Sequence, residues 1–139
     1  MTTPTKTRYP RLLALDVASE LVERLRPACE RIKIAGSLRR EKPDVGDIEI
    51  LYVSKSGWIP DPDDFFKQID LVLADDRIRY LESAGILSRR YNALGRETFG
   101  PLNKLMVHCA SGIPVDLFCA SDENWINYLV CRTGPADLN

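Results

Sequence analysis

Histidine is nearly absent: the 139 residues hold one, His108. The four cysteines, Cys29, Cys109, Cys119 and Cys131, show no C-x-x-C spacing. These two shortages leave no natural ligand set for zinc. They favour reduced, mostly buried thiols in a cytoplasm. Net charge is also missing, with 19 basic against 20 acidic residues. No bulk polycation therefore argues for nucleic acid, and any such contact must come from a local basic patch. No apolar run approaches transmembrane length, and the polar N-terminus lacks a signal peptide's apolar core. Repeats and low-complexity tracts are absent as well. A chain of this length is one domain, with room for a single core.

The chemistry concentrates between Ile34 and Val53, IAGSLRREKPDVGDIEILYV. This stretch reads as a strand over 32–35, a Gly36-Ser37 turn, Arg39-Arg40, a polar loop, and a second strand carrying Asp47 and Glu49. Strand side chains alternate faces, so the two carboxylates point the same way while Ile48 and Ile50 point into a core. Like charges side by side resist ionisation. A hard divalent cation with oxygen ligands, Mg²⁺ above all, relieves that repulsion. The plainer alternative is a half-buried sheet with one wet polar face. Gly36-Ser37 weighs against it, because exposed N–H groups and a hydroxyl suit phosphate oxygens. Arg40, just after, can fork onto the same phosphate. Phosphate donors and metal-binding acids in one strand-turn-strand unit are what phosphoryl transfer from a nucleotide requires.

Around this hairpin the chain alternates helices and strands. Leu12, Leu15, Ala18, Val22 and Leu25 recur at helical spacing and predict a helix over 11–29, with Pro27 near its end. Residues 54–63 read as a loop, with Trp58 placed equally well on core or surface. Phe65, Phe66, Ile69, Val72 and Leu73 predict a helix over 64–74. A short helix over 77–84 ends near Gly85. A strand over 87–92 and a loop to Asn103 follow. Leu105–Ala110 and Val115–Ala120 form a hairpin around Ser111-Gly112. A capped helix over 123–130 turns Trp125 and Leu129 to the core. His108 has no acid or cysteine partner at catalytic spacing and reads as structural. Arg89, Arg90, Arg96 and Lys104 are the one basic concentration of the second half, by default a solvated sheet edge.

Asp116 is the one acid in the apolar strand VDLFCA. Buried alone it would be expensive. Beside Asp47 and Glu49 on a neighbouring strand it becomes a third metal ligand, and no other residue offers itself for that place.

The pattern G-S-x-R-R followed by G-D-x-E resembles the nucleotidyltransferase fold, and within it the palm of family X DNA polymerases, the DNA polymerase beta type. That family usually carries Asp-x-Asp where this chain has Asp47-x-Glu49. The resemblance implies an α/β (α+β) domain with a mixed, mostly antiparallel sheet of four or five strands and helices on one face. It implies a palm over 1–132, with 133–139 opening a nascent-base-pair subdomain that is otherwise missing. Asp47, Glu49 and Asp116 would be catalytic and hold Mg²⁺, for which Mn²⁺ can substitute. Gly36, Ser37, Arg40 and Gly46 would meet the triphosphate of a nucleoside triphosphate. Arg8 joins them because Arg8-Tyr9-Pro10-Arg11 matches the family's Arg-x-Pro-Arg. Lys104-Leu105-Met106 resembles its K-F-M and implies a DNA contact for Lys104. Residues 131–139, CRTGPADLN, resemble its Y-F-T-G-S-x-x-F-N and place Thr133, Gly134 and Asn139 on the nucleotide. The implied activity is transfer of a nucleotide to a 3′-hydroxyl of DNA in cytoplasmic DNA repair. Two alternatives remain: a small nucleotidyltransferase acting on a protein, tRNA or small molecule, and a non-catalytic palm remnant that binds nucleic acid.

Overall fold

The computed structural model describes residues 7–133, and their organising element is β4 (Ile48–Ser54). Ile48, Ile50, Leu51, Tyr52 and Val53 are all buried. A strand buried on both faces must have layers on both sides. Five strands, with β2 (Cys29–Ala35) at one edge, form the sheet. Their order runs from β2 through β4 to β9 (Pro114–Cys119), β8 (Asn103–His108) and β7 (Leu87–Arg89). Only the β4–β9 pairing is parallel. A two-residue strand, β1 (Tyr9–Pro10), pairs with β3 (Asp44–Val45) beside the central hairpin.

On one face lie α1 (Arg11–Leu25) and α3 (Leu73–Ser83), packed over Ile48, Ile50, Tyr52, Val115 and Leu117. On the other, α4 (Trp125–Thr133) puts Trp125 and Leu129 against Leu51, Val53 and Phe118. The expected helices on one face are therefore corrected to helices on both. The strand period of two explains why: β4 and β9 present apolar residues alternately to each side, and each set needs a cover.

Other expectations shift in detail. The buried stripe of α1 is Ala14, Val17, Ala18, Leu21, Val22 and Leu25, while Leu12 is exposed. Both stripes have helical spacing, and the small Ala14 and Ala18 let the helix approach the sheet on this one. Pro27 sits in a 3-10 turn (Arg26–Ala28) that ends the helix before Cys29. The Gly36-Ser37 turn is a single helical turn, α2 (Gly36–Arg39). α3 starts earlier than expected, with Asp75 and Asp76 in its first turn, where their charge suits the helix dipole. Its Ala74 N–H donates to Ser54 Oγ at 2.9 Å. Ser121 and Asn124 bond reciprocally before α4. The thiols are less hidden than expected: Cys29 is buried, Cys119 half-buried, and Cys109 and Cys131 exposed.

The largest correction concerns 54–74. In place of a loop and a helix there is a two-stranded ribbon, β5 (Ser56–Asp61) with β6 (Asp64–Val72). Its tip is tied by Asp63 N–H donating to Asp61 Oδ1 and Phe66 N–H donating to Asp64 Oδ1. Those aspartates make turn bonds. The apolar residues face solvent, with Phe66 90% exposed.

Candidate metal centre

The register of three strand pairings lines residues up across one face of the sheet. Ala35 of β2 pairs with Glu49 of β4, Glu49 with Asp116 of β9, and Asp116 with Leu105 of β8. Arg90, one residue past β7, donates its backbone N–H to Leu105 O at 3.0 Å and extends the row. The face is the one covered farther along by α4, because Leu51 and Phe118, two residues on, belong to that cluster. Asp47 lies two residues before Glu49 and shares its side. Asp47, Glu49 and Asp116 thus meet, with one carboxylate oxygen of each within 4.8 Å of the others. Asp116 is the most enclosed, at 8% exposure.

The flanking residues give this row space. Gly36 follows Ala35 directly and takes φ +66°. A Cβ placed there would overlap the Glu49 carboxylate, lying 2.9 Å from its Cδ. α2 therefore begins against Glu49, carrying Ser37 half-buried and Leu38 buried. Arg11 donates to Leu38 O and pins this turn to α1. Arg40, exposed, closes the turn with its N–H on Gly36 O. Gly46 is buried between β3 and Asp47. Arg8 sits on the β1–β3 side, its Nη2 donating to Asp44 Oδ1 at 2.7 Å and to Asp44 O at 3.0 Å. Gly36 is thus placed on the acids, and Ser37, Arg40, Gly46 and Arg8 lie on the segments leading to them. Thr133's side chain, Gly134 and Asn139 lie outside the described residues.

Lys104 corrects the expected DNA contact. It pairs with Leu117, one place off the Asp116 row, so its side chain points to the opposite face. There it is 1% exposed, donating to Asp75 Oδ1 at 2.8 Å and to Gly100 O at 2.9 Å. A buried, paired ammonium has no charge to offer a nucleic-acid backbone. The rest of the supposed basic edge is largely neutralised. Arg89 bridges Glu82 and Glu97 and lies over the Phe99 ring. These two glutamates, hydrogen-bonded to its guanidinium, hold its pKa above the usual arginine value. His108 is structural, with Nδ1 on Ser111 Oγ at 2.7 Å.

Arg90 is the residue that sequence reasoning missed. Its Nη2 donates to Asp116 Oδ1 at 2.8 Å and its Nη1 to Met106 O at 3.2 Å. No spacing ties residue 90 to residue 116. Only the strand order β7-β8-β9 brings them together, and the sequence signal was limited to one arginine among several.

No protein-family model matches this chain, and no curated protein matches it.

Proposed function

We propose that this chain is a Mg²⁺-dependent nucleotidyltransferase with a polymerase-type palm, moving a nucleotide from a nucleoside triphosphate to a hydroxyl acceptor and releasing pyrophosphate. One observation carries the reading: Asp47, Glu49 and Asp116 present carboxylate oxygens within 4.8 Å of one another on neighbouring strands. The donor set fits a hard divalent ion, since all three groups are anionic oxygens and their mutual repulsion is relieved by a cation. Such an ion, when bound, supplies charge neutralisation and Lewis acidity for in-line displacement. The remaining work falls to the chain's own groups. Asp116 is the enclosed carboxylate placed to take the proton of the attacking hydroxyl. Ser37 and the N–H groups around it suit phosphate oxygens, and Arg40 and Arg8 add forked donors. Gly36 and Gly46 leave room for phosphate to approach the backbone. Thr133, Gly134 and Asn139 are assigned to the nucleotide.

The preferred acceptor is the 3′-hydroxyl of primed or gapped DNA, with a protein, tRNA or small molecule as the alternative. The test is incorporation by the purified chain from labelled nucleoside triphosphates with Mg²⁺ or Mn²⁺. Primed DNA, tRNA and the chain itself serve as acceptors. Incorporation should require the ion and vanish in Asp116→Ala, while the variant keeps its melting temperature within a few degrees. DNA binding with no incorporation onto any acceptor would overturn the enzyme in favour of a binding module.

A further inference from the structure

Among the described residues, Arg90 is a cation set against the acid row to which no motif pointed. Its backbone continues the β7–β8 ladder by one residue, and strand parity turns its side chain over Leu105 towards Asp116. The guanidinium is held at two points, Asp116 Oδ1 and the Met106 carbonyl. Its side chain is 29% exposed and that of Asp116 12%, so water screens the pair only partly. Enclosing a carboxylate this far is costly unless a cation is paired and hydrogen-bonded to it, as Arg90 is here.

We propose that Arg90 is a displaceable counter-ion: it holds Asp116 in line with Glu49 until a divalent ion arrives, and it sets the affinity for that ion. The inference rests on reading the three acids as metal ligands. Asp116 Oδ1 shares its lone pairs with the guanidinium at 2.8 Å. An ion seeking that oxygen must displace the guanidinium from it and must also approach a positive charge that stays nearby. At about 6 Å, and with the effective dielectric of a partly exposed site, that repulsion weakens ion binding by about tenfold or more. The same contact stabilises the ion-free fold. Arg90 is therefore a positioning residue, acting through Asp116, and its two effects have opposite signs.

Calorimetric titration with Mn²⁺ and with Ca²⁺ on wild type, Arg90→Gln and Arg90→Lys separates them. Arg90→Gln should bind either ion about tenfold more tightly, melt lower in chelator, and gain a larger rise in melting temperature from the ion. Arg90→Lys keeps the charge and should stay close to wild type. Equal or weaker ion binding by Arg90→Gln makes Arg90 merely structural and overturns the proposal. Should Arg90→Gln fail to fold, the wild type decides. Its Arg90 guanidinium NMR signals should shift as Ca²⁺ saturates the site, and unchanged signals at saturation refute displacement. A wild type that binds neither ion defeats the triad reading itself, which is a different failure from tight binding that Arg90 does not influence.

Discussion

At Gly36 the backbone turns through φ +66° in the residue after the partner of Glu49. Most side chains resist that conformation, and here a Cβ would also run into the Glu49 carboxylate. Gly36→Ala should cost about 1–3 kcal/mol, from backbone strain plus displacement of Glu49. Because Glu49 must rotate away, divalent-ion affinity should fall with stability. Urea unfolding and calorimetric titration read the two separately, and an alanine variant with unchanged ion affinity would show that Glu49 is not held by this contact. Asp47, Glu49 and Asp116 could be read from the sequence because each breaks a local rule: two acids share a strand face, and one acid interrupts an apolar run. Arg90 and Lys104 could not. Both are ordinary basic residues until parity and strand order send one over the acid row and the other beneath the sheet.

The β5–β6 ribbon shows the limit of reading elements from spacing. Phe65, Phe66, Ile69, Val72 and Leu73 satisfy a helical stripe, yet aromatic and β-branched residues also favour strands. What decided between them was the turn at Asp61–Asp64, whose aspartates bond back within the turn. The neighbouring strands were legible because burial on two faces leaves uninterrupted apolar runs. A ribbon with both faces exposed leaves no such pattern. It also stands apart from both cores: its ends meet where Leu73 N–H donates to Lys55 O at 3.0 Å, and Trp58, Ile59, Phe65 and Phe66 are all exposed. Replacing residues 56–72 by a short glycine-containing turn, with Ser54 and Leu73 retained, should leave a folded domain. Its melting temperature should stay within a few degrees of wild type, and divalent-ion binding should be unchanged. Loss of cooperative melting would show that the ribbon supports α3, which begins at its end.

At the scale of the whole fold, three groups among the described residues that ionise at high pH, Cys29, Cys119 and Tyr52, are held neutral by burial. Burial, reinforced by nearby Cys119 and opposed by Lys55 and Arg26, pushes the Cys29 thiol from 9.0 up to about 11. Burial likewise raises Cys119, with Asp75 adding to it. Burial raises Tyr52 as well, with the neighbouring Cys119 thiol and Asp75 adding to it. Each raised value means that the unfolded chain releases its proton first. The unfolded state therefore holds fewer protons above pH 9, and stability must fall as pH rises. The contribution is whole below pH 9 and is lost as pH climbs through about 11, with Cys29 alone accounting for roughly 2 kcal/mol. Melting temperature should decline over that window, and Cys29→Ala should flatten the decline. Alkylation at pH 8 should mark Cys109 and Cys131, which are exposed, and spare Cys29 until denaturant is added. Rapid labelling of Cys29 in the native protein would mean that the packing of β2 against α1 opens far more readily than its burial implies.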